Sequence, residues 1–377
     1  MEEGKILVTG GAGYIGSHAV KQLCNAGYSV IVLDNLSTGH AKAVDPRAEI
    51  VVGDVRDLGL LDSLFTRQKI VGVMQFAGKI IVPESVSHPL SYYDDNFNAV
   101  LSILRAMHAH NCRNIVFSST AAVYGTSKEP AISEEAPLHP ESPYGFSKLA
   151  AERLIRDCEK AYGIRHCIFR YFNVAGASED ATIGEAHPVE THIIPVTVNA
   201  SLNGTPMHIF GNDYQTRDGT NLRDYIHVLD LADAHVLGMK RLLAGGESAI
   251  INLGSDKGYT NKEIVETVGE VTGRPVSWTY GPRRAGDADS IVASNARAKE
   301  LLGWTPKRDL HQMIADDVRW RLGHPNLFGR PGNKLSSDIR KRLINYVSSR
   351  HFSTFYEDIE NADRDRLSKI KNANRLG

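Results

Sequence analysis

Short apolar runs rich in β-branched residues recur along the first half of the chain, at Ile6–Thr9, Val30–Leu33, Ile50–Val52, Val71–Phe76, Ile115–Ser118 and His166–Arg170. They are nearly continuous in apolar character, which marks strands buried on both faces. Longer stretches with helical periodicity separate most of them. This alternation predicts an α/β fold on a doubly wound parallel sheet, with ligands bound beyond the carboxyl ends of the strands. After about residue 175 the rhythm changes. Loops lengthen in AGASEDATIGEAH and GNDYQTRDGTNLRD, while Leu229–Leu243 and Lys262–Thr272 keep a helical period. A smaller, mixed α/β domain is expected there, covering the ligand. HPNLFGRPGNK then reads as a turn or linker, and SDIRKRLINYV and FYEDIENADRDRLSKI as two short helices. The expected division is residues 1–175, residues 176–325, and a basic, solvated extension over 326–377.

Composition excludes some classes. Lys and Arg number 43 against 44 Asp and Glu, so no field suited to nucleic acid or an anionic membrane is expected. The four cysteines, Cys24, Cys112, Cys158 and Cys167, form no CxxC pair. They read as reduced thiols in a cytoplasmic protein, with no metal site. The chain enters a strand almost at once, at KILVTG, without a signal-peptide pattern. No apolar run is long enough to span a bilayer.

VTGGAGYIGSH follows the first strand, with Gly10, Gly13 and Gly16 at a spacing of three. Such a turn lets backbone N–H groups approach a pyrophosphate and lets the next helix pack closely. A ligand-free strand-to-helix turn would show the same spacing. Asp34, closing the second strand, adds an acceptor for the adenosine ribose. Its charge would repel a 2′-phosphate, which favours NAD over NADP. Asp54 in VVGDVRD stands within reach of the adenine. Phe76, Ala77 and Gly78 end the fourth strand, where a glycine allows close approach to the cofactor. The first domain therefore reads as a Rossmann-like NAD-binding domain.

Two Tyr–Lys pairs at a spacing of four compete for a catalytic role, Tyr124 with Lys128 and Tyr144 with Lys148. Lys128 comes just before Glu129 and Pro130, and backbone ahead of a proline is driven out of the helical region. Tyr144 and Lys148 instead follow the helix-start signal Ser142–Pro143 and precede LAAERLIRDCEKAYG, an unbroken helical pattern. The second pair therefore shares one helix face. A phenol with a pKa of about 10 becomes a usable base beside an ammonium and a positive nicotinamide ring. Ser118, Ser119 and Thr120 end a neighbouring strand and can hydrogen-bond the reacting oxygen.

GGAGYIG, LDNLSTG, GDVRD, QFAG, FSSTAAVYG, PYGFSK, RYFNVAGA, GNDYQTRDGTNLRDYIHV and RRAGD occur in that order. Together they resemble the extended short-chain dehydrogenase/reductase superfamily and, within it, the UDP-glucose 4-epimerase family, over about residues 4 to 325. The resemblance implies a tightly bound NAD, a UDP-hexose substrate and a homodimer. It implies cofactor contacts at Tyr14, Ile15, Asn35, Ser37, Thr38, Gly39, Val55, Asn96, Ser119 and Phe172 as well as the residues above. Thr120, Tyr144 and Lys148 would be catalytic. Asn173, His192, Ile193, His208, Ile209, Phe210, Arg223, Arg284 and Asp287 would hold the nucleotide sugar, with Tyr171 near the nicotinamide. Tyr225 and His227 read as structural. Ile291 aligns with a tyrosine of some epimerases, and an aliphatic residue there leaves room for an N-acetyl group.

A nucleotide-sugar 4,6-dehydratase of the same superfamily would need an acid and a base after the active-site threonine. Ala121 and Ala122 stand there instead. An epimerase for another UDP-sugar remains open. A non-catalytic NAD-binding sensor predicts a lost Tyr–Lys pair, whereas this chain has one intact.

Overall fold

The computed structural model describes residues 4–127, 129, 131–187, 190–284, 287–326 and 335–349. Its first half runs β1 (Lys5–Thr9), α1 (Tyr14–Asn25), β2 (Ser29–Asp34), β3 (Glu49–Val52), α2 (Leu58–Arg67), β4 (Ile70–Gln75), α3 (Val82–Ser87), α4 (Pro89–Tyr92), a π-helical turn (Tyr93–Asn98), α5 (Ala99–Ala109), β5 (Asn114–Ser118), α6 (Pro143–Tyr162) and β6 (Arg165–Tyr171). There follow β7 (Asn173–Ala175), α7 (Ile193–Asn203), β8 (Met207–Phe210), β9 (Leu222–His227), α8 (Val228–Leu243), β10 (Ala249–Leu253), β11 (Gly258–Thr260), α9 (Asn261–Thr272), β12 (Trp278–Gly281), β13 (Ser290–Ile291), α10 (Ala296–Leu302), α11 (Leu310–Gly323) and α12 (Ser337–Ser349).

Seven parallel strands form one sheet in the order β3-β2-β1-β4-β5-β6-β10. The order reverses between β1 and β4, which opens a crevice at the carboxyl end of β1. Apolar layers cover both faces. One gathers Leu7, Ile31, Val73, Ile103, Phe117 and Ile155, the other Ile6, Val8, Val20, Val116, Phe169 and Met239. All six strands expected from the apolar runs are present.

The boundary expected at residue 175 divides the chain but not the space. Leu231, Ala234, Met239 and Leu242 of α8 lie in the same core as Ile6 and Val8, and β10 pairs with β6. The segment from Val228 to Leu253 thus completes the large sheet. The smaller unit is built from β9, flanked by β11, β13 and β7, from the β8–β12 pair, and from α7, α9 and α11.

The extension also differs from expectation. Leu343, Tyr346 and Val347 of α12 are buried in a core shared with Val268 of α9 and Met313 and Ile314 of α11. SDIRKRLINYV is helical because it is amphipathic, and its apolar face has a partner. The second segment, FYEDIENADRDRLSKI, lies outside the described residues. Leu343 is fully buried, so Leu343→Ala is expected to cost about 2–5 kcal/mol of unfolding free energy. Urea unfolding of the full-length chain measures this, and truncation after residue 326 should destabilise in the same direction. An unchanged midpoint would show that α12 contributes nothing to the core.

Candidate active site

The carboxyl ends of the parallel strands place four segments along one edge: the glycine turn after β1, Phe76–Gly78 after β4, Ser118–Thr120 at the end of β5, and Tyr171–Phe172 at the end of β6. The turn is built around absent side chains. Gly10 has φ +71°, and a Cβ there would lie 2.5 Å from the Ala77 nitrogen. A Cβ on Gly16 would lie 2.2 Å from the Gly10 oxygen, so α1 packs against the turn only without it. A Cβ on Gly13 would meet nothing closer than the Gly10 oxygen at 3.3 Å, and would otherwise project into the open space that a pyrophosphate needs.

Asp34 is fixed at the rim of this cradle. One carboxylate oxygen accepts from the Ala12 N–H at 2.9 Å and the other from the Leu36 N–H at 2.8 Å. Gly39 packs on Ala12, and the His40 N–H bonds the Ala12 carbonyl at 2.9 Å, which brings Ser37 and Thr38 over the turn. Asn35 donates to Asp54 at 3.4 Å, and Asp54 is held ionised by Arg56 at 2.7 Å. Val55 is buried behind it. The Tyr14 hydroxyl donates to the Gly176 carbonyl at 2.6 Å, so its side chain ties α1 to the smaller unit, while Ile15 packs on the sheet. Asn96 is buried, accepts from the Lys79 N–H at 2.8 Å, and donates to Ser147 of α6 at 3.1 Å. Gly78 leaves room for it, since a Cβ there would lie 2.6 Å from the Asn96 Oδ1.

Ser142 caps α6 by accepting from the Gly145 N–H at 3.2 Å, with Pro143 in the first turn. Tyr144 and Lys148 are buried on one face of this helix. Burial pushes the Tyr144 phenol up, and the nearby Thr120 hydroxyl opposes that shift. Burial pulls the Lys148 ammonium down to about 8, partly offset by Glu152. Its Nζ donates to the Ser118 carbonyl at 3.0 Å. Ser118 Oγ bonds the Tyr171 hydroxyl.

Tyr124 has a different place. Its hydroxyl donates to Asn252 of β10 at 2.7 Å and accepts from Arg170 at 3.0 Å. Arg170 pairs with Glu152 at 2.6 Å, both almost fully buried. Ser119 donates to the same carboxylate, so its hydroxyl is committed away from the cofactor. Lys128 lies outside the described residues. This network was missed in the sequence, although Glu152 sits four residues beyond Lys148 on the same helix face.

The nucleotide-sugar candidates gather in the smaller unit. Arg223 on β9 donates to the Ala288 carbonyl at 2.8 Å and stands 3.5 Å from Asp287. The Arg284 guanidinium lies 4.1 Å from the centre of the Phe210 ring. Phe210 and His208 share one face of β8 with ring centres 6.4 Å apart. Ile209, between them, faces the opposite way into a core with Met207 and Val265. Strand alternation leaves only its backbone for a ligand. Asn173 donates to the Asp224 carbonyl at 3.0 Å. Phe172 and Ile291 pack against the cluster of Val123, Tyr124 and Ile132. The His192 ring turns to Glu185 at 2.6 Å, so that segment offers backbone at the start of α7, where Ile193 follows. His227 is buried and pairs with Asp316 at 3.0 Å, and Tyr225 is buried in the smaller core.

A dinucleotide cradle, a buried Tyr–Lys pair at the same sheet edge and a lobe with stacked Arg and aromatic groups define a nucleotide-dependent enzyme site of the short-chain dehydrogenase type. A family model described as GDP-mannose 4,6 dehydratase matches residues 7–316. A UDP-glucose 4-epimerase of Lacticaseibacillus casei is 49% identical over 326 residues, covering 86% of this chain and 98% of the relative. A crystal structure of UDP-glucose 4-epimerase from Brucella ovis in complex with NAD matches at TM-score 0.82 and 41% identity, over 84% of this chain and 98% of that one. Another, from Bifidobacterium longum in complex with NAD+ and UDP, matches at TM-score 0.80 and 36% identity, over 85% and 99%. This chain belongs to the UDP-glucose 4-epimerase family, within the NAD-dependent epimerase/dehydratase superfamily.

Proposed function

We propose that this enzyme interconverts UDP-glucose and UDP-galactose by inverting carbon 4 through a transient 4-keto sugar. One observation carries the reading. Tyr144 is buried at the first turn of α6 near the Thr120 hydroxyl, one turn from Lys148 and on the same sheet edge as the open Gly13 turn. NAD is the cofactor that fits this cradle, and when bound it takes a hydride from carbon 4 and returns it.

The remaining work falls to side chains. Tyr144 as phenolate accepts the proton of the 4-hydroxyl and later gives it back. Thr120 holds the reacting oxygen, and the Lys148 ammonium lowers the phenol pKa and holds the cofactor ribose. Arg223, Arg284 and Asp287 grip the diphosphate and ribose, with His208 and Phe210 against the base. UDP anchored in this way holds the keto sugar while it turns over its other face. Ala121 and Ala122 after Thr120 supply no acid or base, so the chemistry stops short of the dehydration named for the matching family model. Galactose metabolism, a cytoplasmic setting and a homodimer complete the proposal. No helix among the described residues is long and apolar enough to cross a membrane.

The test uses purified protein, UDP-galactose and no added NAD, with UDP-glucose followed by chromatography. Turnover is expected, because the cofactor is recycled rather than consumed. No turnover even with added NAD would overturn the reading. A second activity rests on Ile291, which packs with Phe172 against the same apolar cluster and is smaller than the tyrosine some epimerases carry there. Interconversion of UDP-GlcNAc and UDP-GalNAc is expected, and Ile291→Tyr should suppress it while sparing UDP-galactose. Equal loss on both substrates would remove Ile291 as the selectivity position.

A further inference from the structure

The loop between β7 and α7 carries a cluster that the proposed reaction does not use. Side-chain ligand atoms of Glu185, His187, Glu190 and His192 all lie within 4.8 Å of one another. Glu185 Oε1 stands 2.9 Å from His187 Nδ1 and 2.6 Å from His192 Nδ1. Glu190 oxygens stand 3.9 Å from His187 Nδ1 and 3.6 Å from His192 Nδ1. Ligands around a tetrahedral zinc with bonds of about 2.0–2.1 Å are separated by about 3.3 Å. These four separations bracket that value, and every ligand atom of the set lies within 4.8 Å of the others, close enough to share one ion.

The cluster is anchored. Glu185 is 1% exposed, an unusual place for a carboxylate without a cation. Its carbonyl accepts from Trp320 Nε1 and Arg321 Nη2 of α11, each at 3.4 Å. Gly184 packs flat on Trp320, where a Cβ would lie 2.2 Å from the ring. Arg321 pairs with buried Asp317 at 2.7 Å and stands 4.0 Å from Glu190. Counting that pair as neutral, Glu185 and Glu190 leave a charge that one dication balances with both imidazoles neutral. Without an ion, protonated imidazoles would have to balance the same charge, with both rings, their centres 5.8 Å apart, turned to one Glu185 oxygen.

We propose that Glu185, His187, Glu190 and His192 bind one zinc-class divalent cation that pins this loop to α11. Two imidazoles with two carboxylates suit zinc, whereas calcium and magnesium select all-oxygen sites. The role is structural, because a four-residue shell leaves no open position. The expectation of no metal, drawn from the cysteines, overlooks this set because His and Glu stand at irregular spacing. The proposal stands independently of the substrate reading.

Purified full-length protein, dialysed against a chelator, would be titrated with Co2+ and then Zn2+. One Co2+ per chain with the intense visible bands of tetrahedral coordination is expected, displaced by Zn2+. His187→Gln should lose the bands, and Glu190→Gln should weaken them. Zn2+ should raise the thermal midpoint of the wild type but not of His187→Gln. Circular dichroism would show that each variant is folded, and if His187→Gln is not, Glu190→Gln decides. Absent bands, or bands unchanged in the folded variants, would overturn the proposal and leave the cluster as an ion-pair network.

Discussion

Tyr144→Phe is expected to reduce epimerisation by about 10²–10⁴-fold while NAD stays bound. The substitution removes one oxygen and keeps the ring, which packs edge-on to Tyr92 at 6.4 Å. Thr120 keeps its own bond to the Ala122 N–H at 3.1 Å, so the local backbone is undisturbed. The cradle at Gly10–Gly16 lies on other elements, and cofactor content should match the wild type. A kcat measurement together with NAD released on denaturation separates the two effects. Retained turnover would move the proton transfer to another group. Lys148→Met gives a second readout. Burial already pushes the phenol up. Removing a nearby ammonium raises its pKa further. The rising limb of log kcat/KM should therefore move to higher pH. A limb that stays put would show that Lys148 does not tune Tyr144.

Arg170→Met should cost about 3–5 kcal/mol of unfolding free energy. Arg170 and Glu152 are each about 2% exposed, and the guanidinium makes two bonds to the carboxylate, at 3.0 and 2.6 Å. Without it, Glu152 keeps its charge inside the protein with only Ser119 and the desolvated Lys148 beside it. A domain with about 5–15 kcal/mol of total stability loses much of it in this way. The Tyr124 hydroxyl also loses its donor, while its bond to Asn252 survives. Urea unfolding with an unchanged slope is the measurement. The double variant Glu152→Gln/Arg170→Met should recover part of the loss, because no uncompensated charge remains. A single-variant loss below about 1 kcal/mol would mean that water reaches Glu152 and screens it as at a surface. The same network touches the reaction. Glu152 opposes the desolvation of Lys148, so neutralising it lowers the ammonium pKa further below about 8.

The sequence by itself determined what depends on neighbours along the chain. Six apolar runs marked the strands of the parallel sheet; five are buried on both faces, as a continuous apolar pattern implies, whereas β3 lies at the sheet edge with Ile50 and Val52 exposed. Gly10 and Gly16 could be singled out because a turn that tight admits no Cβ at either position. Tyr144 could be separated from Tyr124 because only one of them starts an unbroken helix, and Tyr124 is found in a buried network instead. Tertiary structure alone decided what joins distant positions. Glu152, Arg170, Tyr124 and Asn252 meet across up to 128 residues of chain. No local period records that meeting. β10 returns to the large sheet because α8 presents an apolar face to the side left open by α1, which no loop composition announces. Ile209 faces inward because the strand around it alternates against a core supplied by α7 and α9. Residue type and spacing set each side chain's chemistry, and the packing of remote elements set which groups were buried together and therefore had to be paired.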